Sequence, residues 1–97
     1  MSFIQIVDYE TEHAAEIDAA MRSAMAEMPD EPGFLRLEHA QDRDNPRHFT
    51  TIIEFPDYET AMANSTRPET DQMAQQLAAM CTSGPSYRNL DVTMTMP

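Results

Sequence analysis

Carboxylates, arginines, serine and threonine hydroxyls and methionine thioethers aside, the side chains in this sequence that can pass a proton, hold a metal or attack a carbon are few. They are His13, His39 and His48, Tyr9, Tyr58 and Tyr87, and Cys81. His39 stands in an alternating stretch between Leu37 and Gln41. If its side chain lines a pocket it can serve as a general base or a ligand, because histidine titrates near neutral pH. His13 falls at a helix start and His48 just after a turn, so both read as surface or boundary residues. Tyr87 follows Gly84-Pro85 and can give its hydroxyl to a bound phenol or quinone. Tyr9 and Tyr58 read as packing residues.

Asn64, Tyr87 and Arg36 offer hydrogen bonds to an oxyanion. Arg36 and Glu38 lie two apart on one strand face and form either a cross-dimer ion pair or a clamp on a substrate. Met62 belongs to a set of nine methionines, of which Met21, Met25, Met28, Met62, Met73 and Met80 fall at helical positions facing the expected core. Methionine fills irregular gaps, and the same set can make an adaptable pocket for a flat apolar ligand. The candidate site is therefore His39, Tyr87 and Asn64 for chemistry, with Arg36, Glu38 and Met62 for substrate binding.

Other chemistries are disfavoured by residue type and spacing. There is no HxH, HExxH or CxxC pattern, so no metal site is expected. Cys81 has no second cysteine and no adjacent histidine, and reads as a small buried hydrophobe. Lysine is absent, which excludes Schiff-base chemistry. Two glycines cannot build a phosphate-cradling loop. No cofactor is expected.

The formal charge is −11, from 17 acidic residues against six arginines. Such a surface repels nucleic acids and acidic membranes. No apolar run approaches the ~20 residues of a membrane span. The opening Met1-Ser2-Phe3-Ile4-Gln5 lacks the basic start and apolar core of a secretory signal, so a soluble cytoplasmic protein is expected. Residues 1–97 form a single domain, small enough to bury only about 60–65% of its unfolded surface. With no disulfide, stability must come from packing or from a partner subunit.

The elements that position these residues follow from periodicity. Phe3–Tyr9 reads as a strand with apolar residues on both parities. Thr11 is placed to cap a helix carrying His13, Ile17, Ala20, Met21, Ala24 and Met28, which Pro29 and Pro32-Gly33 end. Phe34–Gln41 and His48–Phe55 alternate as strands joined through the polar turn Asp42–Pro46. Asp57 is a candidate N-cap for a short helix interrupted at Asn64-Ser65-Thr66. Thr66 and Glu69 have capping-box spacing, with Pro68 in the first turn of a helix that carries Met73, Leu77 and Met80. Gly84-Pro85 is expected to stop that helix, and Tyr87–Met96 alternates as the last strand.

The order is β-α-β-β-α-β: an α+β, ferredoxin-like fold with a four-stranded antiparallel sheet. Helices can cover one face of that sheet. A covered set of Ile4, Ile6, Leu35, Leu37, Phe49, Ile53, Phe55, Leu90 and Val92 would leave Phe3, Val7, Phe34 and Ile52 on the other side, although a one-residue slip inverts any strand. Either way large apolar residues remain on a bare face, which a soluble monomer rarely tolerates. A homodimer through the sheet face is expected, with Met94 and Met96 reaching across to the partner.

Three stretches carry a family resemblance: the opening Phe3-Ile4-Gln5-Ile6-Val7, Pro32-Gly33-Phe34 leading into the second strand, and Glu54-Phe55-Pro56-Asp57-Tyr58-Glu59-Thr60-Ala61-Met62 at a strand-to-helix junction. Through them the chain resembles the antibiotic biosynthesis monooxygenase-like group of dimeric α/β barrels. The resemblance implies a homodimeric, cofactor-independent monooxygenase acting on a small aromatic or polyketide-type compound whose own carbanion reacts with oxygen. It places Asn64 in the helical region where the family carries a polar residue. The family's haem-degrading branch uses Asn, Trp and His, and its quinone-forming branch Asn, Trp and Tyr; tryptophan is absent, which weighs against haem degradation, departs from the quinone-forming pattern as well and favours a non-catalytic reading. The alternative is a non-catalytic homodimer of the same fold that binds a small molecule or serves a structural role.

Overall fold

The computed structural model describes residues 2–27 and 33–96. Its elements are β1 (Phe3–Thr11), α1 (Ala14–Ala26), β2 (Arg36–Gln41), β3 (His48–Phe55), α2 (Tyr58–Ser65), α3 (Pro68–Met80) and β4 (Cys81–Asp91). The four strands form one sheet in the order β2-β3-β1-β4, antiparallel throughout. This is the ferredoxin-like α+β arrangement, with its second helical connection split into α2 and α3. Met28, Pro29 and Pro32, expected at the end of the first helix, lie outside the described residues. No helix among the described residues is long and apolar enough to cross a membrane.

Register decides which residues the helices cover. Phe3 pairs with Phe55, Val7 with Thr51 and Tyr9 with Phe49, and all six are buried. Val7, Tyr9 and Phe49 pack with Ile17 of α1 and Leu77 of α3, while Phe3 and Phe55 pack with Ala61 of α2. The covered face thus takes the odd residues of β1. The expected facing of β1 was the reverse: Ile4 and Ile6 lie on the opposite face, joined there by Ile52 and Leu90 through the pairs Ile6↔Ile52 and Ile4↔Leu90. Apolar residues occupy both parities of β1, so alternation alone is degenerate. The aromatic rings of Phe3 and Tyr9 go where helices provide depth to bury them.

β4 also differs from expectation. It begins directly after α3 and runs Cys81–Asp91 rather than Tyr87–Met96. The Thr11 hydroxyl, expected as a helix cap, instead donates to the Met80 carbonyl at 2.6 Å and accepts from the His13 amide at 2.8 Å. That contact ties the end of β1 to the end of α3, so the chain turns into the sheet before Gly84-Pro85. Those two residues sit inside the strand, where the register jumps from Asp8↔Ser86 to Glu10↔Ser83. The extra residue makes a bulge opposite Tyr9, a place where a proline without an N–H is tolerated. Met94 and Met96 lie beyond the strand, 72% and 76% exposed.

Two caps contrast. Asp57 caps α2, its carboxylate accepting from the Thr60 amide at 2.7 Å. The expected Thr66–Glu69 capping box does not form. Arg67 is the N-cap of α3, and the Thr66 hydroxyl donates back to the Ala63 carbonyl. Pro68 does open α3, where its missing N–H costs nothing.

The bulge is strict about its glycine. Gly84 has φ +83°, and a Cβ there would lie 2.8 Å from the Asp8 carbonyl oxygen. Gly84→Ala therefore combines a disfavoured backbone region with a clash against main chain that cannot swing away. It is expected to lower stability by about 1–3 kcal/mol, read as a lower urea midpoint at unchanged m-value.

Candidate functional site

Alternation along β2 sends Leu37 and His39 to the helix-covered face, and Arg36 and Glu38 to the other. On α1, Asp18, Met21, Arg22 and Met25 recur at helical spacing on one side. Between these two elements runs an open groove of 580 Å³, lined by Asp18, Met21, Arg22, Met25, Ala26, Leu37 and His39. Its walls are methionine, leucine and alanine. Asp18 and Arg22 are tied to each other, the guanidinium Nε donating to the carboxylate at 2.8 Å. His39 is left as the groove's ionisable group without an ionic partner among the described residues.

His39 is held from behind. Tyr9 reaches diagonally over β3 and places its hydroxyl 2.5 Å from His39 Nε2. The rings of Tyr9, Phe49 and His39 stack within 12–17° of parallel, with centroids 5.2–6.0 Å apart. Burial lowers the His39 pKa below its ordinary 6.5, with the Asp18 charge a smaller opposing influence. The imidazole therefore meets the groove neutral at pH 7. Burial likewise pushes the Tyr9 phenol up to about 12, so it stays a hydroxyl.

The other sequence-selected residues do not join His39. Tyr87 lies in the same cross-strand row (His39↔Thr51, Thr51↔Val7, Val7↔Tyr87), but three strands away. At about 4.8 Å per strand that is roughly 14 Å, too far to share one reacting atom. Arg36 and Glu38 are on the opposite side of the sheet, where Arg36 pairs with Glu38 at 3.1 Å and with Glu54 at 3.7 Å. Their clamp role is thus set apart from the groove by the strand's two-residue period. Met62 packs beside the Phe3–Phe55–Ala61 cluster. Asn64, on α2, does not line the groove, yet its side-chain carbonyl oxygen is buried with no hydrogen-bond partner among the described residues. Cys81 is half-buried, and burial raises its thiol pKa, which leaves it a poor nucleophile.

His48, expected as solvated, belongs to a second polar cluster on the face away from the helices. Its Nδ1 lies 2.9 Å from Asp42 and its Nε2 3.0 Å from Asp8, whose same oxygen accepts from the Thr50 hydroxyl at 2.5 Å. A shallow pocket of 380 Å³ adjoins it, lined in part by Asp8, Glu10, Ser83 and Gly84. Hydrogen bonds to Asp42 and then Asp8 raise the His48 pKa above 6.5. The bond from Thr50, ahead of His48, lowers that of Asp8; the bond to His48 lowers that of Asp42. Among the described residues no three His, Cys, Asp or Glu side chains are grouped to hold a metal ion.

Opposite shifts give this cluster a stability window. A raised folded pKa at His48 contributes stability that is full below 6.5 and is lost as pH rises through the raised value. Lowered carboxylates contribute above 3.8 and lose it as pH falls through their depressed values. Tm is expected to decline as pH rises from 6.5, and His48→Gln should remove that slope while leaving the acid limb from other carboxylates. Thermal melts across pH 5–9 check both halves of this expectation.

Comparisons with known proteins address the whole arrangement. The family model for antibiotic biosynthesis monooxygenase matches residues 5–76. Among solved structures, a substituted form of SnoaB, a cofactor-independent oxygenase from Streptomyces nogalater, is similar with a TM-score of 0.82 at 21% identity, covering 99% of this chain and 97% of that one. A conserved protein from Methanosarcina mazei Go1 gives 0.82 at 14% identity, covering 93% and 91%. Rv0793 from Mycobacterium tuberculosis gives 0.75 at 11% identity, with both chains fully covered. No curated protein sequence matches the chain.

Proposed function

The chain belongs to the antibiotic biosynthesis monooxygenase family, and on that footing we propose that it is a cofactor-independent monooxygenase acting on a small hydroxylated aromatic or polyketide-type compound in the groove between α1 and β2. The observation that carries this is the groove itself: apolar walls of Met21, Met25 and Leu37 around one neutral imidazole. Methionine walls adapt to a flat ring, and the imidazole gives the ring's hydroxyl a single polar address.

The chemistry needs no outside reductant. Ionisation of a phenol makes its para carbon nucleophilic, and that carbon adds O2 to give a peroxide. Protonation and loss of water turn a CH2, the keto form of that carbon, into C=O. Four electrons leave the carbon and reduce O2; one oxygen stays and the other departs as water. The protein's part is to bind the ring, hold the phenolate oxygen and shelter the carbanion. His39 is assigned to that oxygen. Asn64 does not line the groove either, and it is kept apart from it as a candidate polar contact only because its buried carbonyl oxygen has no hydrogen-bond partner among the described residues. Tyr87, Arg36, Glu38 and Met62 are left out of the proposed site, since none lines the groove.

We further infer a homodimer formed through the bare sheet face, where Ile4, Ile6, Ile52 and Leu90 make an apolar stripe. Covering it would contribute about 25 cal/mol for each Å² of apolar area removed from water. The family match favours the enzyme over a non-catalytic binding dimer. Oxygen-electrode assays of the purified protein across a panel of dihydroxynaphthalenes and anthrones test the activity. Uptake above the uncatalysed rate is expected, with a quinone product that has gained one oxygen and lost two hydrogens. No uptake with any member of the panel would remove the enzymatic reading.

A further inference from the structure

A neutral imidazole has one N–H to give and one bare nitrogen to receive, and which of the two meets a substrate changes the chemistry available. Resting on the groove as the reaction site, we propose that Tyr9 is a positioning residue that fixes His39 as its Nδ1–H tautomer, so that His39 holds the substrate's phenolate oxygen as a hydrogen-bond donor and does not take its proton.

The argument starts from the 2.5 Å contact between Tyr9 Oη and His39 Nε2. One of these atoms donates to the other. A phenol is the stronger acid and an imidazole nitrogen the stronger acceptor, so the proton lies on the tyrosine oxygen. Tyr9 is 3% exposed, which removes water as a competing acceptor. A buried hydroxyl that failed to donate would carry the full cost of its lost hydration. Tyr9 therefore donates to Nε2. Nε2 is then an acceptor without a proton, and in the neutral ring the proton must sit on Nδ1. Nδ1 is also the nitrogen left over for a ligand, since Nε2 is already engaged.

The stacked rings keep this arrangement in register. Phe49 lies 5.9 Å from Tyr9 and 5.2 Å from His39, nearly parallel to both. A half-turn of the imidazole would put Cε1 where Nε2 stands and orphan the Tyr9 hydroxyl. A donor fixed in advance stabilises a developing oxyanion without reorganisation, which is the arrangement that accelerates most. The phenol's own proton then leaves to solvent at the open mouth of the groove.

The test is the tautomer itself. Long-range ¹H–¹⁵N correlation spectra of the uniformly labelled full chain at pH 7.5, with His39 assigned by the loss of its signals in His39→Gln, distinguish a protonated Nδ1 from a protonated Nε2. The wild-type protein is expected to show Nδ1 protonated and Nε2 bare. Tyr9→Phe keeps the ring and removes only the hydroxyl; it should convert His39 to the Nε2–H form or to a mixture. With a substrate found in the oxygen assay, it should lower kcat by roughly 10²-fold with KM little changed, as displacement of a fixed group does. A wild-type His39 with its proton on Nε2 would overturn the proposal, whether or not Tyr9→Phe folds. A Tyr9→Phe protein that folds and keeps the wild-type tautomer would overturn the role of Tyr9. The spectra need no substrate, so failure of the oxygen assay would count against the monooxygenase reading alone.

Discussion

His39→Ala is expected to lower kcat for oxygen consumption by about 10²–10³-fold, the usual loss when one preorganised donor to an oxyanion is removed. KM should change less, because the ring's affinity rests on Met21, Met25 and Leu37, which remain. The fold should survive, since His39 is only partly buried and its loss empties a place at the groove wall rather than in the packed interior. The pH profile gives a second signature. Protonation of His39 places a proton on Nε2, which displaces the Tyr9 hydroxyl and the ring it positions; burial depresses the His39 pKa, so this acid limb of kcat should lie below 6.5. An acid limb above 6.5 would mean that the group controlling turnover is charged more easily than His39 and lies elsewhere. A folded His39→Ala protein with unchanged turnover would sink the assignment of the groove.

The second large effect concerns assembly. Ile6 and Ile52 face each other across β1 and β3 on the side no helix covers. If that side is buried between two copies, Ile52→Asp places a carboxylate in the middle of an apolar contact, twice per dimer by symmetry. Each costs about 2 kcal/mol or more without a partner, so association should weaken by about 10³-fold. Native mass spectrometry at micromolar concentration should record the wild-type protein at twice 11.0 kDa and the variant as the monomer. Because Ile52 is only half-buried within one copy, the variant should retain its helical and strand content. A wild-type protein that is monomeric at that concentration would overturn the face-to-face dimer.

The sequence shows where it is legible and where it is not. The order of elements was readable because strands and helices differ in period, and because Asp57 and Pro68 mark helix starts by distinct chemistry. Facing was not readable on β1, where Ile4 and Ile6 are as apolar as Phe3 and Val7. Only pairing with Phe49 and Phe55 under the helices resolves it. Gly84-Pro85 looked like a helix stop because those residues usually punctuate. Here the tie from Thr11 to Met80 ends the helix first, and the glycine's backbone freedom is used inside a strand.

The alternation of its strand singles out His39, which lines the groove. Chemical type, which carries no distance, suggests its companions: Tyr87 is three strands away and Arg36 is on the far side of the sheet. Tyr9 reads from sequence as a packing residue. The only signal that could have found it was its shared parity with Val7, which points it into the same layer as His39, and that requires the register between strands. The pairing of His48 with Asp8 is equally non-local, since 40 residues separate them.

The bulge on β4 has a further consequence at the rim of the sheet. β4 and β2 are the two outer strands, each with a row of backbone groups that faces no further strand among the described residues. Such rows invite another chain to add a strand, the route by which sheets grow into aggregates. On β4, Gly84 bends that row and Pro85 removes a donor from it, so a straight incoming strand cannot keep its hydrogen-bond repeat past the middle. β2 is short and displays Arg36 and Glu38 side by side, which an uncharged strand would have to desolvate. A sheet with an apolar stripe on one face is thus protected at both borders against unlimited edge-to-edge growth.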